Sequence, residues 1–410
     1  MTAPALDQRF RFGRLWTAAV ASNLGDGLVL VAFPLLAASI TSEPLAIAGI
    51  TIVAGLPWLI FGAISGALVD RFDRRVLMVW FDSMRAVAVS VFAGAVWAEV
   101  APLWSLYLVV AMIAAGETVV DTSAQSLLPA LVPKSRLDLA NGRLFSTMIV
   151  AHRFVGPPLG GFLFAAAAVL PFVADSATFA VAAVLMFGLR GRFRPESADL
   201  TIPQRLAGSI KEGLVWLWRE QPIRTFAIGA ALLNIGIMAG EAILVLYASE
   251  ELGLGGVGFG ALFVASAAGY AAGSALAPLM TARRSRLRIV SLSVGVIAMS
   301  LFGIGLTREW AVATVGLFAI GVASGLWDVI AVSYRQAAVP DRLRGRIMAA
   351  YRMIAHGSVP VGALLGGLVA TLWDPGSSFV AGGLVVLGAV FYVAIRLRGV
   401  ELDPSSVTPR

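Results

Sequence analysis

The chain has 410 residues, 59% of them apolar and 13% charged, and a net charge of +7. At a mean hydropathy of +0.86 its apolar side chains exceed what soluble cores can hide, and a charged share about half the usual quarter excludes disorder, collagen and a secreted disulfide scaffold. No cysteine and only two histidines, His152 and His356, exclude thiolate chemistry and argue against a metal site, and the basic balance reads as the loop charge of a membrane protein, not as a nucleic-acid surface.

Twelve apolar stretches reach the roughly 20 residues that span hydrocarbon. They cover 15–40, 45–69, 76–98, 102–127, 144–168, 171–190, 223–249, 257–281, 287–306, 310–333, 347–372 and 376–397. The first is too long for a signal peptide and carries Asn23 and Asp26 in its middle, so it reads as a retained span. Among 31 lysines and arginines, Arg85, Arg153 and Arg352 lie within spans and Arg308 alone on one side; all others fall on the opposite side. That bias places both termini in the cytoplasm.

The fold class expected is therefore an all-α polytopic membrane protein with twelve transmembrane helices in two pseudosymmetric six-helix bundles. Residues 1–190 form the first bundle, 191–222 a cytoplasmic linker, and 223–410 the second bundle with a short tail. Within the linker, Ile210, Leu214, Leu217 and Trp218 recur at helical spacing opposite Lys211, Glu212 and Arg219, which predicts an amphipathic helix or a packed linker helix. A duplication shows in the text. Asp121 precedes Pro133 by the same interval as Asp328 precedes Pro340, and a glycine pair follows each proline, Gly160-Gly161 and Gly366-Gly367. Paired halves around a central site are a transporter architecture.

Ionisable groups inside a membrane are costly and rarely idle. The deep acids are Asp26 in span 1, Glu117 and Asp121 in span 4, Glu241 in span 7 and Asp328 in span 10. Asn23 shares a face with Asp26, and Asn234 adds an amide to span 7. These residues are expected to line one water-accessible cavity that binds substrate and takes up and releases protons. The alternative for each acid is pairing with a buried arginine. Asp82 and Arg85, three apart, read as a structural ion pair near the inner end of span 3, and Asp175 sits near the outer end of span 6. Arg85, Arg153 and Arg352 are possible counter-charges, with helix packing or headgroup contact as the blander reading for the last two.

The loop after span 2 reads Gly66-Ala-Leu-Val-Asp70-Arg71-Phe-Asp-Arg74-Arg75. It resembles the signature loop of the major facilitator superfamily, Gly-x-x-x-Asp-Arg-x-Gly-Arg-Arg, with Asp73 where glycine is usual. Gly156-Pro157-x-x-Gly160-Gly161 is similar to that family's antiporter motif. "SLLPALVPKSRLDLANGRLFS", "DSATFAVAA" and "KEGLVWLWREQPIR" resemble the branch of enterobactin exporters and macrolide-efflux proteins. The resemblance implies the major facilitator fold, a conformational latch of Gly66, Asp70, Arg71, Arg74 and Arg75, and drug/proton antiport. The second half has "TARRSRLR" in the matching loop, without an acid, and span 4 lacks the arginine of many such antiporters.

The function expected is proton-coupled export of amphipathic small molecules, such as drugs, antibiotics or siderophore-like metabolites, by alternating access. Proton-driven uptake of a small nutrient is the alternative. An intramembrane enzyme would need paired Asp-rich or histidine-rich clusters, which the text lacks. No cofactor is expected beyond the proton gradient, and no metal or nucleic acid. The expected partners are a small-molecule substrate, protons and membrane lipid, for a monomer in a bacterial cytoplasmic membrane.

Overall fold

The computed structural model describes residues 5–191, 193–194, 212–340, 343–398 and 402. Among them, eleven helices are long and apolar enough to cross a membrane, and the apolar stretch Pro44–Pro57 opens one further helix of 28 residues. We number these α1 (Ala5–Ile40), α2 (Pro44–Arg71), α3 (Arg74–Trp97), α4 (Leu103–Leu131), α5 (Leu137–Ala166) and α6 (Leu170–Phe187). The second set is α7 (Gln221–Glu251), α8 (Gly256–Thr281), α9 (Arg286–Gly305), α10 (Trp310–Ala338), α11 (Arg344–Gly357 continued by Val359–Leu372) and α12 (Pro375–Arg396).

Three helices are irregular. In α5 the stretch Met148–Val155 is wound as a π-helix directly before Gly156-Pro157-Pro158. The two prolines have no N–H to give, and the Gly156 N–H reaches back five residues to the Ala151 carbonyl. A second π segment, Tyr247–Glu251, closes α7, and Ser358-Val359-Pro360 interrupts α11. Of the expected linker, residues 195–211 lie outside the described residues. Residues 212–219 are helical, with Leu217 buried and Trp218 exposed.

The chain forms two compact units, and each obeys the same packing plan. In unit 1 (Met1–Ile40, Leu56–Leu200, Gly255–Val264), α6 packs on α1 and α3, α3 on α4, and α1 on α5. In unit 2 (Thr41–Gly55, Thr201–Leu254, Ala265–Arg410), α12 packs on α7 and α9, α9 on α10, and α7 on α11. Adding six to each helix number converts the first set into the second. The glycine pairs explain part of this. A Cβ on Gly160 would strike the Leu28 backbone of α1, and one on Gly366 the Ala239 backbone of α7. Small residues let helices approach to backbone distance where no hydrophobic force drives them together.

The second glycine of each pair serves the segment that each unit takes from the far half of the chain. Within unit 1, Gly161 abuts the Gly256 backbone at the start of α8; within unit 2, Gly367 abuts Leu45 and Ala48 at the start of α2. Trp97 and Trp104 in unit 1, and Trp310 and Trp373 in unit 2, stand exposed at helix ends, where tryptophans are enriched in membrane proteins.

Candidate functional site: a charged cluster in the first unit

The middle of unit 1 is charged. Arg85, 0% exposed, extends from α3 between α1, α4 and α6. Its Nη2 pairs with Asp26 Oδ1 on α1. Its Nη1 lies 3.4 Å from Asp82 Oδ1 and 3.3 Å from Ser22 Oγ. The guanidinium carbon is 3.8 Å from the ring centre of Phe179 on α6, a cation–π contact. Its aliphatic stem crosses Gly116 of α4, where a Cβ would stand 2.7 Å from Arg85 Cδ. Glu117 and Asp175 act on the guanidinium electrostatically, and Asp121 acts on Asp82.

Local sequence builds this geometry. Asp26 lies between two glycines, and each admits a different helix. A Cβ on Gly25 would collide with Asp175 and Thr178 of α6; one on Gly27 would lie 2.7 Å from the His152 carbonyl and 2.9 Å from Gly156 Cα of α5. So α1 is pressed between α5 and α6 at the residue that holds the arginine. Asp175 is fully buried, and neither carboxyl oxygen has a hydrogen-bond partner among the described residues.

The cluster pairs Asp26 with the buried Arg85, the alternative weighed for each deep acid, and adds Asp82 and Asp175, which the sequence puts near span ends. The buried acids of unit 1 are not confined to α1 and α4: Asp82 on α3 and Asp175 on α6 are buried at least as completely as Asp26. Glu117 and Asp121 are half-buried beside it. The Asn23 amide donates to the Ala19 carbonyl of its own helix at 2.8 Å. Arg153 and Arg352 have exposed side chains.

The matching position of unit 2 holds no arginine. Arg85 follows the α3 N-cap Asp73 by twelve residues, and the residue twelve after the α9 N-cap Ser285 is Ile297, fully buried; the counterpart of Asp82 is Val294. Its polar residues are dispersed instead. Tyr270 donates to Asp328 Oδ2 at 2.9 Å, and Asn234 to the Ala355 carbonyl at 2.6 Å; Glu241 is half-buried. Sequence reasoning missed Arg335, assigned to a loop although α10 continues through it. It is buried, with its guanidinium carbon 3.5 Å from the ring centre of Tyr351. Its signal was its place seven residues after Asp328, which puts it on the same helical face.

At the arginine-rich end, Asp73 caps α3, accepting from Arg75 N at 3.0 Å and Val76 N at 3.4 Å, and it also binds the Phe193 N–H at 2.8 Å. A glycine there could do neither. Arg75 donates to the Phe187 carbonyl at 2.7 Å, and Arg14 to that of Gly188, so two guanidiniums satisfy the open C-terminus of α6. Asp70 and Arg71 are exposed, and Gly66 and Arg74 half-buried.

Residues 2–409 match the family model described as transmembrane secretion effector. The chain is 26% identical over 407 residues to the multidrug efflux pump Tap of Mycolicibacterium fortuitum, covering 95% of this chain and 96% of that protein. It is 20% identical over 389 residues to macrolide efflux protein A of Streptococcus pyogenes, covering 92% and 94%. In shape it is similar to a bacterial homologue of the human lysosomal transporter Spinster, solved inward-facing and occupied (TM-score 0.76, 14% identity, 97% and 98% covered). The nucleoside transporter NupG is as similar (TM-score 0.76, 10% identity, 94% and 99% covered). Helix plan, signature loop and these likenesses converge: the chain belongs to the transmembrane secretion effector family of the major facilitator superfamily and is a multi-pass membrane transporter of small molecules.

Proposed function

We propose that the chain exports amphipathic small molecules, drugs or antibiotics among them, in exchange for protons across a bacterial cytoplasmic membrane. Two full-length relatives are named as efflux proteins, which supports the direction. The reading takes the chain as a monomer with cytoplasmic termini, in contact with lipid, and as a carrier, not an enzyme or a cofactor protein.

The observation that carries the coupling is the Asp26–Arg85 pair with Asp82, Glu117, Asp121 and Asp175 around it. Five carboxyls about one guanidinium cannot all be ionised in a low-dielectric interior, so the number of protons held is a variable of the cluster. Because Arg85 ties α1, α3, α4 and α6 together, a proton taken up by the cluster changes what holds those helices. Asn234, Glu241 and Asp328 serve in unit 2 as polar groups for substrate. Asp70, Arg71, Arg74 and Arg75, with Gly66, act in the conformational change, and Gly156, Pro157, Gly160 and Gly161 set the α5 packing that it works against.

Inside-out vesicles with an imposed proton gradient test the reading. Substrate should dissipate the gradient in wild type. Asp26→Asn or Glu117→Gln should abolish uphill transport while leaving substrate-driven exchange measurable. Uphill transport at wild-type rate in a folded double variant would remove both residues from the mechanism.

A further inference from the structure

Unit 2 bears a groove of about 1110 Å³ along α9 and α10. Leu292, Val296, Met299 and Val315 line it, and Gly295 and Gly303 lie along α9 with nothing within 4 Å of where a Cβ would stand. From Arg288 to Gly303 the helix rises about 22 Å at its usual pitch. One leaflet of hydrocarbon is roughly 15 Å deep. The space is a long apolar trough, not the compact hollow of a small-molecule site.

One end of the trough is cationic. The loop into α9 and the helix's first turn carry Arg283, Arg284, Arg286 and Arg288 and no acid. Arg286 is occupied by the Leu402 carbonyl at 3.2 Å. Arg288 lines the groove and is exposed. Hydrocarbon along the trough and an anion at its mouth describe one molecule. We propose that the groove seats an acyl chain of an anionic phospholipid from the leaflet on the arginine-rich side, with its phosphate on Arg288.

A second copy of the chain fits the same glycine-lined face less well. Two copies in one membrane share orientation, so a two-fold contact along α9 would bring both arginine loops together with no acid between them. A phosphate supplies the missing charge, and basic groups beside a helix end attract anionic lipid.

The test uses the full-length protein, delipidated in detergent, with phosphatidylglycerol or phosphatidylcholine of identical chains added. Binding is read by native mass spectrometry and by the midpoint of thermal unfolding. Phosphatidylglycerol should bind and raise the midpoint more than phosphatidylcholine does. Gly295→Leu fills open space, so it should keep the lipid-free midpoint while weakening phosphatidylglycerol binding at least tenfold. Arg288→Gln should erase the preference between the two lipids and spare the fold. Equal effects of the two lipids on wild type, or unchanged binding in Gly295→Leu, would overturn the proposal. So would a wild-type dimer that Gly295→Leu converts to monomer.

Discussion

The guanidinium carbon of Arg85 sits 3.8 Å from the centre of the Phe179 ring, so the buried cation is held by a π face on one side and by Asp26 and Asp82 on another. Removing the cation while keeping its partners leaves buried acids uncompensated, which costs about 3–5 kcal/mol. Arg85→Gln should therefore lower thermal stability steeply. Combining it with Asp26→Asn and Asp82→Asn should recover a good part of the loss. Additive losses in the triple variant would show that these groups do not act as one unit.

Glycines on α1 and α3 should respond in opposite ways. At Gly27 a methyl group would meet backbone of α5 at 2.7–2.9 Å, so Gly27→Ala should destabilise by about 1–3 kcal/mol through overpacking. Gly94, exposed in α3 with nothing within 4 Å, should tolerate Ala and gain about 0.5–1 kcal/mol from the helical backbone. Unfolding midpoints of the two variants in one detergent make the comparison.

The two aspartates of the signature loop should separate stability from transport. Asp73→Ala removes a helix cap and the tie to Phe193, at about 1–2 kcal/mol. Asp70 is exposed, so Asp70→Asn should cost no more than roughly 1 kcal/mol yet slow transport more than it weakens substrate binding. Normal transport in the folded Asp70 variant would show that this residue is not part of the conformational latch.

The proposed sidedness rests on the charge bias of the loops. Single cysteines in place of exposed Glu43 or Glu250 should react with an impermeant maleimide in whole cells; one in place of exposed Ser285 should react only after lysis. Labelling of the Ser285 position in intact cells would invert the topology.

What the text revealed was local or periodic. Apolar length marked the helices, Gly160-Gly161 and Gly366-Gly367 marked close crossings, and the three-residue spacing of Asp82 and Arg85 marked a pair on one face. The contact between Arg85 and Asp26 was hidden because it joins α3 to α1, and no pattern within either helix specifies which neighbours meet. Position along spans 3 and 6 did not tell that Asp82 and Asp175 are buried as fully as Asp26, because that burial is set by the neighbouring helices packed around them. The Gly25-Asp26-Gly27 triplet carried a usable signal: an acid between two small residues marks where two helices can press close. Arg335 was lost to a boundary set at 333, five residues before α10 ends.

Ile297 and Val294 occupy in unit 2 the places that Arg85 and Asp82 hold in unit 1, and this difference constrains how one core could be converted into the other. A carboxyl introduced alone into an apolar helix packing can exist as a neutral acid. A guanidinium has no such form, because it keeps its proton under all ordinary conditions. Step by step, then, the acids must come first and the arginine last, and a core being stripped of charge must give up the arginine first. The order of substitutions is fixed by acid–base chemistry, and grafting the pair onto Val294 and Ile297 one residue at a time should succeed in one direction only.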